Sequence, residues 1–287
     1  MPQDIISCTC VQEAWETFQH TGACILDLQI PELVLDNLYE WCVANAQWYE
    51  QSGSREDGTT DPALTKRRFS INSWRHLSDV TWLQLASHLF DEKCPLVALL
   101  DLLMGRRMWL SCVFGGDVVR AHTPTRQAVH GDGTTMRPQG RSWSDQLDWS
   151  PWLALSVAVH GIGPSQAPLL FLGRENMFAW ESATPPAWGT EPTAWHDKVV
   201  PLSKGQVLLR DVRVWHAGTP NLTESDRFLP GMQIWHKAEA RRRHATMPDG
   251  AWDKLSYSAR PAFPWSPYSE CSESMSTTCS SGTSTPA

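Results

Sequence analysis

Four residues of this 287-residue chain have the types and spacing to do chemistry together. His130 and Asp132 flank one glycine, His216 follows far downstream, and Arg227 lies eleven residues beyond it. Two imidazoles and one carboxylate can hold a ferrous ion on one face and leave the opposite positions open. A guanidinium grips a carboxylate through two parallel hydrogen bonds, so Arg227 could take the far end of a dicarboxylic acid.

An H-x-D triplet alone is weak, because short triplets recur by chance. Its setting adds to it: in an extended segment, alternation sends His130 and Asp132 to the same face. Gly131 and Gly133 let the backbone turn beside a bound group. For the second imidazole the chain also offers His160, His196 and His236. His216 is preferred because a glycine-led apolar run from Gly205 ends at it and Gly218-Thr219-Pro220-Asn221 then turns the chain. Arg227 opens the returning run, Phe228 to Trp235, which brings its side chain back toward His216.

Around these residues the chain reads in two halves. Val11, Ala14, Trp15 and Phe18 make a helical face that Gly22 ends; Ala23 to Leu26 is a short buried strand. Pro31 suits a first helical turn, and Leu35, Leu38, Trp41, Cys42 and Ala46 continue as a helical stripe. Residues 51 to 65 are a polar loop, and Thr81 to Met104 is helical with a break at Pro95. From about residue 108, short runs rich in Val, Leu, Ile and Trp alternate with Gly/Pro punctuation: 108–114, 117–121, 152–160, 168–172, 206–209 and 227–235. Strands so spaced, without helices between them, predict a sandwich or barrel. The Trp/Pro-rich stretch 173–201 reads as an insertion over its mouth, and the Ser/Thr-rich stretch after Trp265 as disordered.

Composition narrows the classes. A formal net charge of -7 argues against a general nucleic-acid binder, and the basic run 237–244 reads as a solvated helix or loop. No apolar stretch is long enough to span a bilayer, and neither a signal peptide nor a C-terminal peroxisomal tripeptide is read, so a cytoplasmic location is expected. Eight irregularly spaced cysteines suggest reduced, mostly buried thiols rather than a zinc ribbon. Sixteen tryptophans mostly pack core and loops; Trp143, Trp149, Trp152, Trp180, Trp188 and Trp195 fall where an aromatic pocket wall could be built.

From Gln127 to Gln233 the sequence resembles the phytanoyl-CoA dioxygenase family of Fe(II)/2-oxoglutarate oxygenases. The resemblance rests on Gln127-Ala128-Val129-His130-Gly131-Asp132, on the run ending Trp215-His216-Ala217-Gly218-Thr219-Pro220-Asn221, and on Arg227. Phe18 to Leu26 is similar to family N-termini, so the likeness covers most of residues 12 to 240. It implies a mainly β fold with flanking α-helices, a double-stranded β-helix core braced by N-terminal helices. With the element pattern and composition, one domain is expected over 1–265, with helices over about 11–105 and the core over about 106–240, and a disordered Ser/Thr-rich tail over 266–287. It further implies that His130, Asp132 and His216 bind Fe(II), that Arg227 pairs with the C5 carboxylate of 2-oxoglutarate, and that Gln127 is a polar contact in the cosubstrate pocket. The sequence departs from the family at Leu153-Ala154-Leu155-Ser156, where members often carry a tryptophan. It departs again at Leu172-Gly173-Arg174-Glu175-Asn176, which replaces a Pro-Gly-Ser-His segment.

The expected reaction couples decarboxylation of 2-oxoglutarate to succinate with oxidation of a C–H bond by O₂, on a small or medium-sized organic molecule. Neither nucleic acid nor membrane is an expected partner, and oligomeric state is unread. Two other readings stand beside it. The same three ligands suit a zinc hydrolase, although such an enzyme has no use for Arg227. A catalytically silent ligand-binding β-helix protein is the other.

Overall fold

The computed structural model describes residues 7–8, 10–52, 67–71, 79–132, 152–174, 198–237 and 254–263. In chain order the elements are β1 (Ser7–Cys8), α1 (Val11–Thr21), β2 (Ala23–Asp27), α2 (Glu32–Ser52), β3 (Arg68–Ser70), α3 (Val80–Leu89), α4 (Pro95–Met104), β4 (Trp109–Val119), β5 (Trp152–Val157), β6 (Leu169–Phe171), β7 (Val199–Val200), β8 (Gln206–Asp211), β9 (His216–Gly218) and β10 (Arg227–His236), followed by a short 3-10 turn at Arg260–Ala262.

Among the described residues ten strands form two sheets, of order β1-β2-β8-β5-β10-β4-β3 and β7-β6-β9. Among these described strands all pairings are antiparallel except β1 with β2. The outer face of the large sheet carries Leu153, Leu155, Val207, Leu209, Phe228 and Ile234 into one core with the helices. Its inner face carries Ala23, Ile25, Leu208 and Leu229 against Phe171, Val200 and Val214 of the small-sheet side. This is a mainly β jelly-roll of the double-stranded β-helix type, with helices flanking one sheet.

Local chemistry explains the elements. Gly22, at φ 82, ends α1 by returning its N–H to the Phe18 carbonyl at 2.8 Å, and β2 starts at the next residue. Asp79 caps α3, its side chain accepting the Thr81 N–H. Pro95 begins α4 rather than interrupting a longer helix, since its missing N–H is one the first turn leaves unpaired anyway.

The sequence pattern splits β4 into two runs at Gly115-Gly116, yet the strand is continuous. Gly116, at φ 151, faces Pro230 of β10, and a side chain there would strike the backbone of Leu229 and Pro230. Glycine thus permits a proline inside a strand that has neighbours on both sides. The stretch read as an insertion, 173–201, ends in β7, which pairs with β6; residues 175–197 lie outside the described residues. So do 53–66, 238–253 and the tail from 264. The N-terminal stretch supplies strands as well as helices, since β2 and β3 both belong to the large sheet.

Among the described residues no helix is long and apolar enough to cross a membrane. Cys8, Cys10, Cys24, Cys42 and Cys94 are free thiols, the first, third and fourth of them buried.

Candidate functional site

Between the sheets opens a cavity with His130, Asp132, His216 and Arg227 in its wall. Backbone pairing accounts for their convergence. The stretch before Asp132 runs antiparallel to β9 and the turn after it: Thr123 pairs with Asn221, Gln127 N–H donates to the Gly218 carbonyl, and His130 and His216 exchange both hydrogen bonds at 2.8 and 2.9 Å. The register slips along this stretch, so it is an irregular strand at the edge of the small sheet. Alternation then places His130 in the cavity while its neighbour Val129 packs with Leu170, Trp215 and Ala217.

The turn motif after His216 holds this arrangement. Asn221 Nδ2 donates to the carbonyls of Val119, Arg120 and Ser225, and Thr219 Oγ1 to that of Pro168 at 2.6 Å. Gly218 leaves room for Arg68 and Gln127, since a Cβ there would overlap the Arg68 guanidinium and the Gln127 amide oxygen. Arg68, which no motif singled out, is buried and donates through Nη2 to the Thr125 and Thr219 carbonyls. It ties the irregular strand to the turn. Gln127 lines the cavity, and its Oε1 accepts the Gly218 N–H at 2.8 Å.

One donor atom from each of His130, Asp132 and His216 lies within 4.8 Å of the others. His216 Nε2 is 3.3 Å from Asp132 Oδ2, and His130 Nε2 is 3.7 Å from Oδ1. The second ring nitrogens fix the tautomers. His130 Nδ1 faces the Ala128 carbonyl at 2.8 Å and His216 Nδ1 the Val214 carbonyl at 2.9 Å. A carbonyl only accepts, so Nδ1 carries the proton in each neutral ring and Nε2 presents a lone pair. Two lone pairs and a carboxylate therefore meet with no proton among them, an arrangement that a cation satisfies. Donors about 2.1 Å from an ion and at right angles to one another stand about 3.0 Å apart, and the two spacings to Asp132, 3.3 and 3.7 Å, are wider than that.

Electrostatics hold these protonation states. Burial alone would raise the Asp132 pKa, but the Arg210 charge beside it outweighs burial and keeps the carboxyl well below the usual carboxylate range. Burial, with the Arg210 charge adding, pushes His216 down and keeps it neutral. Arg227 is buried, and burial pulls its pKa down to about 10, with the Arg68 charge adding and Asp117 opposing; it stays a cation at neutral pH. Its Nη1 donates to the Asp117 carbonyl at 3.0 Å, while its buried Nε meets no acceptor among the described residues.

The competing histidines sort themselves. His160 directs Nδ1 at the Gly161 carbonyl and accepts the Phe228 N–H on Nε2 at 3.0 Å, so both nitrogens are engaged, Nε2 in bracing β10. His236 lies at the far end of β10, opposite Trp109, and His196 is outside the described residues. Among the predicted wall tryptophans, Trp152 lines the cavity and stacks on Trp235 at 4.7 Å; Trp143, Trp149, Trp180, Trp188 and Trp195 lie outside the described residues.

His160 also sets an expected pH dependence. Burial lowers its pKa below the roughly 6.5 of an unfolded chain. Between the two values the unfolded state takes up a proton that the native state refuses, so stability is lost as pH falls. The melting temperature of the metal-free protein is expected to drop from pH 7 to pH 5, and less steeply in His160→Gln, which keeps an acceptor for Phe228. Equal slopes in the two proteins would refute that assignment.

No family model matches the chain, and neither does any curated protein. Solved structures do match in fold. HygX from Streptomyces hygroscopicus, with nickel and 2-oxoglutarate bound, aligns at 16% identity and TM-score 0.53 over 78% of this chain and 86% of that one. The same protein with nickel, 2-oxoglutarate and hygromycin B bound gives the same values. The non-heme monooxygenase ThoJ, in its apo form, aligns at 16% identity and TM-score 0.52 over 78% of this chain and 77% of that one.

Proposed function

We propose that this protein is an Fe(II)- and 2-oxoglutarate-dependent oxygenase that hydroxylates a small or medium-sized organic molecule while 2-oxoglutarate is decarboxylated to succinate. The observation that carries this reading is that one cavity wall holds both three acceptor atoms that converge as a cation would require and the buried cation Arg227. A zinc hydrolase would need the three acceptors only. The match to a fold that holds nickel and 2-oxoglutarate in HygX supports the same reading, as does the motif likeness to the phytanoyl-CoA dioxygenase family.

His130, Asp132 and His216 would hold the ion, and its open face would take the keto acid and O₂ and supply the oxidation. Arg227 would bind the distal carboxylate and so orient the diacid with its keto end toward the triad. Gln127, anchored on Gly218, would shape the pocket between them. Trp152 and the small residues Ala154, Ser156 and Gly231 leave space on the large-sheet side for the second substrate.

Anaerobic addition of Fe(II) and 2-oxoglutarate is expected to give the weak visible charge-transfer band of a chelated keto acid, and admission of air to give succinate. Retention of zinc with no such band would favour the hydrolase, and neither metal nor keto-acid binding would favour a silent ligand-binding protein.

A further inference from the structure

The Asp132 carboxylate has a partner that no motif nominated. Along β8, Val207 and Leu209 face the helices while Leu208 faces the inner core, so the same alternation turns Arg210 into the cavity. Arg210 Nη2 donates to Asp132 Oδ2 at 3.0 Å. Its Nη1 is buried and meets no acceptor among the described residues. The side chain is only 14% exposed, so water reaches little of it.

A guanidinium is a rigid planar fork. With Nη2 held on a candidate ligand atom, Nη1 stays close to it in the same plane, on a side chain that lines the cavity. A buried donor left unpaired there is costly, and an acceptor that arrives with a ligand relieves the cost. An acceptor held alongside Asp132 at the ion would be within reach of the same guanidinium. On the functional reading above, which this inference rests on, that is the keto-carboxylate end of 2-oxoglutarate.

We propose that Arg210 is a cosubstrate-binding and positioning residue: Nη2 pins Asp132 through one oxygen, and Nη1 binds the C1 carboxylate of the keto acid. The diacid is then held by a guanidinium at each end, Arg210 at C1 and Arg227 at C5. Because Arg210 meets only the keto-acid end, its contribution is indifferent to whether the distal carboxylate is present.

The test titrates 2-oxoglutarate and 2-oxobutyrate, which lacks the distal carboxylate, into anaerobic protein saturated with Fe(II), reading the charge-transfer band. In Arg210→Met and Arg210→Lys both keto acids are expected to bind about ten- to a hundredfold more weakly, the value of one charge-assisted hydrogen bond. Arg227→Ala is expected to weaken 2-oxoglutarate only. Arg210→Lys restores a charge beside Asp132, so its metal affinity recovers relative to Arg210→Met while its keto-acid affinity does not; it also keeps the test open if the methionine variant does not fold. Wild-type keto-acid affinity in Arg210→Lys, or a loss confined to 2-oxoglutarate, overturns the proposal. A wild-type protein with no band overturns the functional reading and this inference with it, whereas a wild-type band with unchanged variants overturns this inference alone.

Discussion

His216→Ala is expected to abolish Fe(II) binding, while His236→Ala and His160→Gln bind the ion as the parent does. The His216 side chain is 4% exposed, its Nδ1 is committed to the Val214 carbonyl, and its Nε2 stands 3.3 Å from Asp132. Loss of a contact that merely orients a metal ligand costs about 10- to 100-fold in affinity, so loss of a ligand itself should exceed about 100-fold. The backbone exchange with His130 does not depend on the imidazole, so the variant should fold, which circular dichroism and a melting curve would check. Competition against a chelating dye measures the affinity. Retention of iron by His216→Ala, with loss in His236→Ala, would sink the choice of ligand.

Arg227→Ala should leave metal binding near the parent's and raise the 2-oxoglutarate requirement steeply. Arg227 is buried, and its pKa of about 10 leaves it charged at neutral pH, so an incoming carboxylate pairs with it away from water. Removing one partner of a buried, hydrogen-bonded charge pair costs about 2–5 kcal/mol, or roughly 30-fold to several thousand-fold in affinity. Arg227→Lys should recover part of the loss, because a point charge remains without the planar fork. The readout is the half-saturating 2-oxoglutarate concentration of the anaerobic charge-transfer band. An unchanged value would remove Arg227 from the cosubstrate site.

Much of the architecture is legible from local rules. Gly22 and the apolar faces of α1 and α2 announce those elements, because a helix and its stop signal are written within a few residues. The longer strands β5, β8 and β10 are visible as apolar runs. The edges are not. β7 and β9 are two and three residues long, too short for alternation to show, and they exist because β6 offers them hydrogen-bond partners. The irregular strand carrying His130 is hidden for a related reason: its register slips, so no period survives in the sequence.

The candidate site divides along the same line. By itself, the sequence nominated His130, Asp132, His216 and Arg227, because side-chain type, strand ends and turn residues are local properties. Tertiary structure alone decided that one donor atom from each of the first three lies within 4.8 Å of the others, that Arg227 shares their cavity, and that His160 is spent on the Phe228 N–H. It alone revealed Arg210 and Arg68, whose partners lie 78 and 151 residues away along the chain. An arginine on a strand looks the same in sequence whether it meets solvent or a buried carboxylate. Which it meets is set by the pairing of distant strands, and that pairing is decided only when the whole sheet buries its apolar faces.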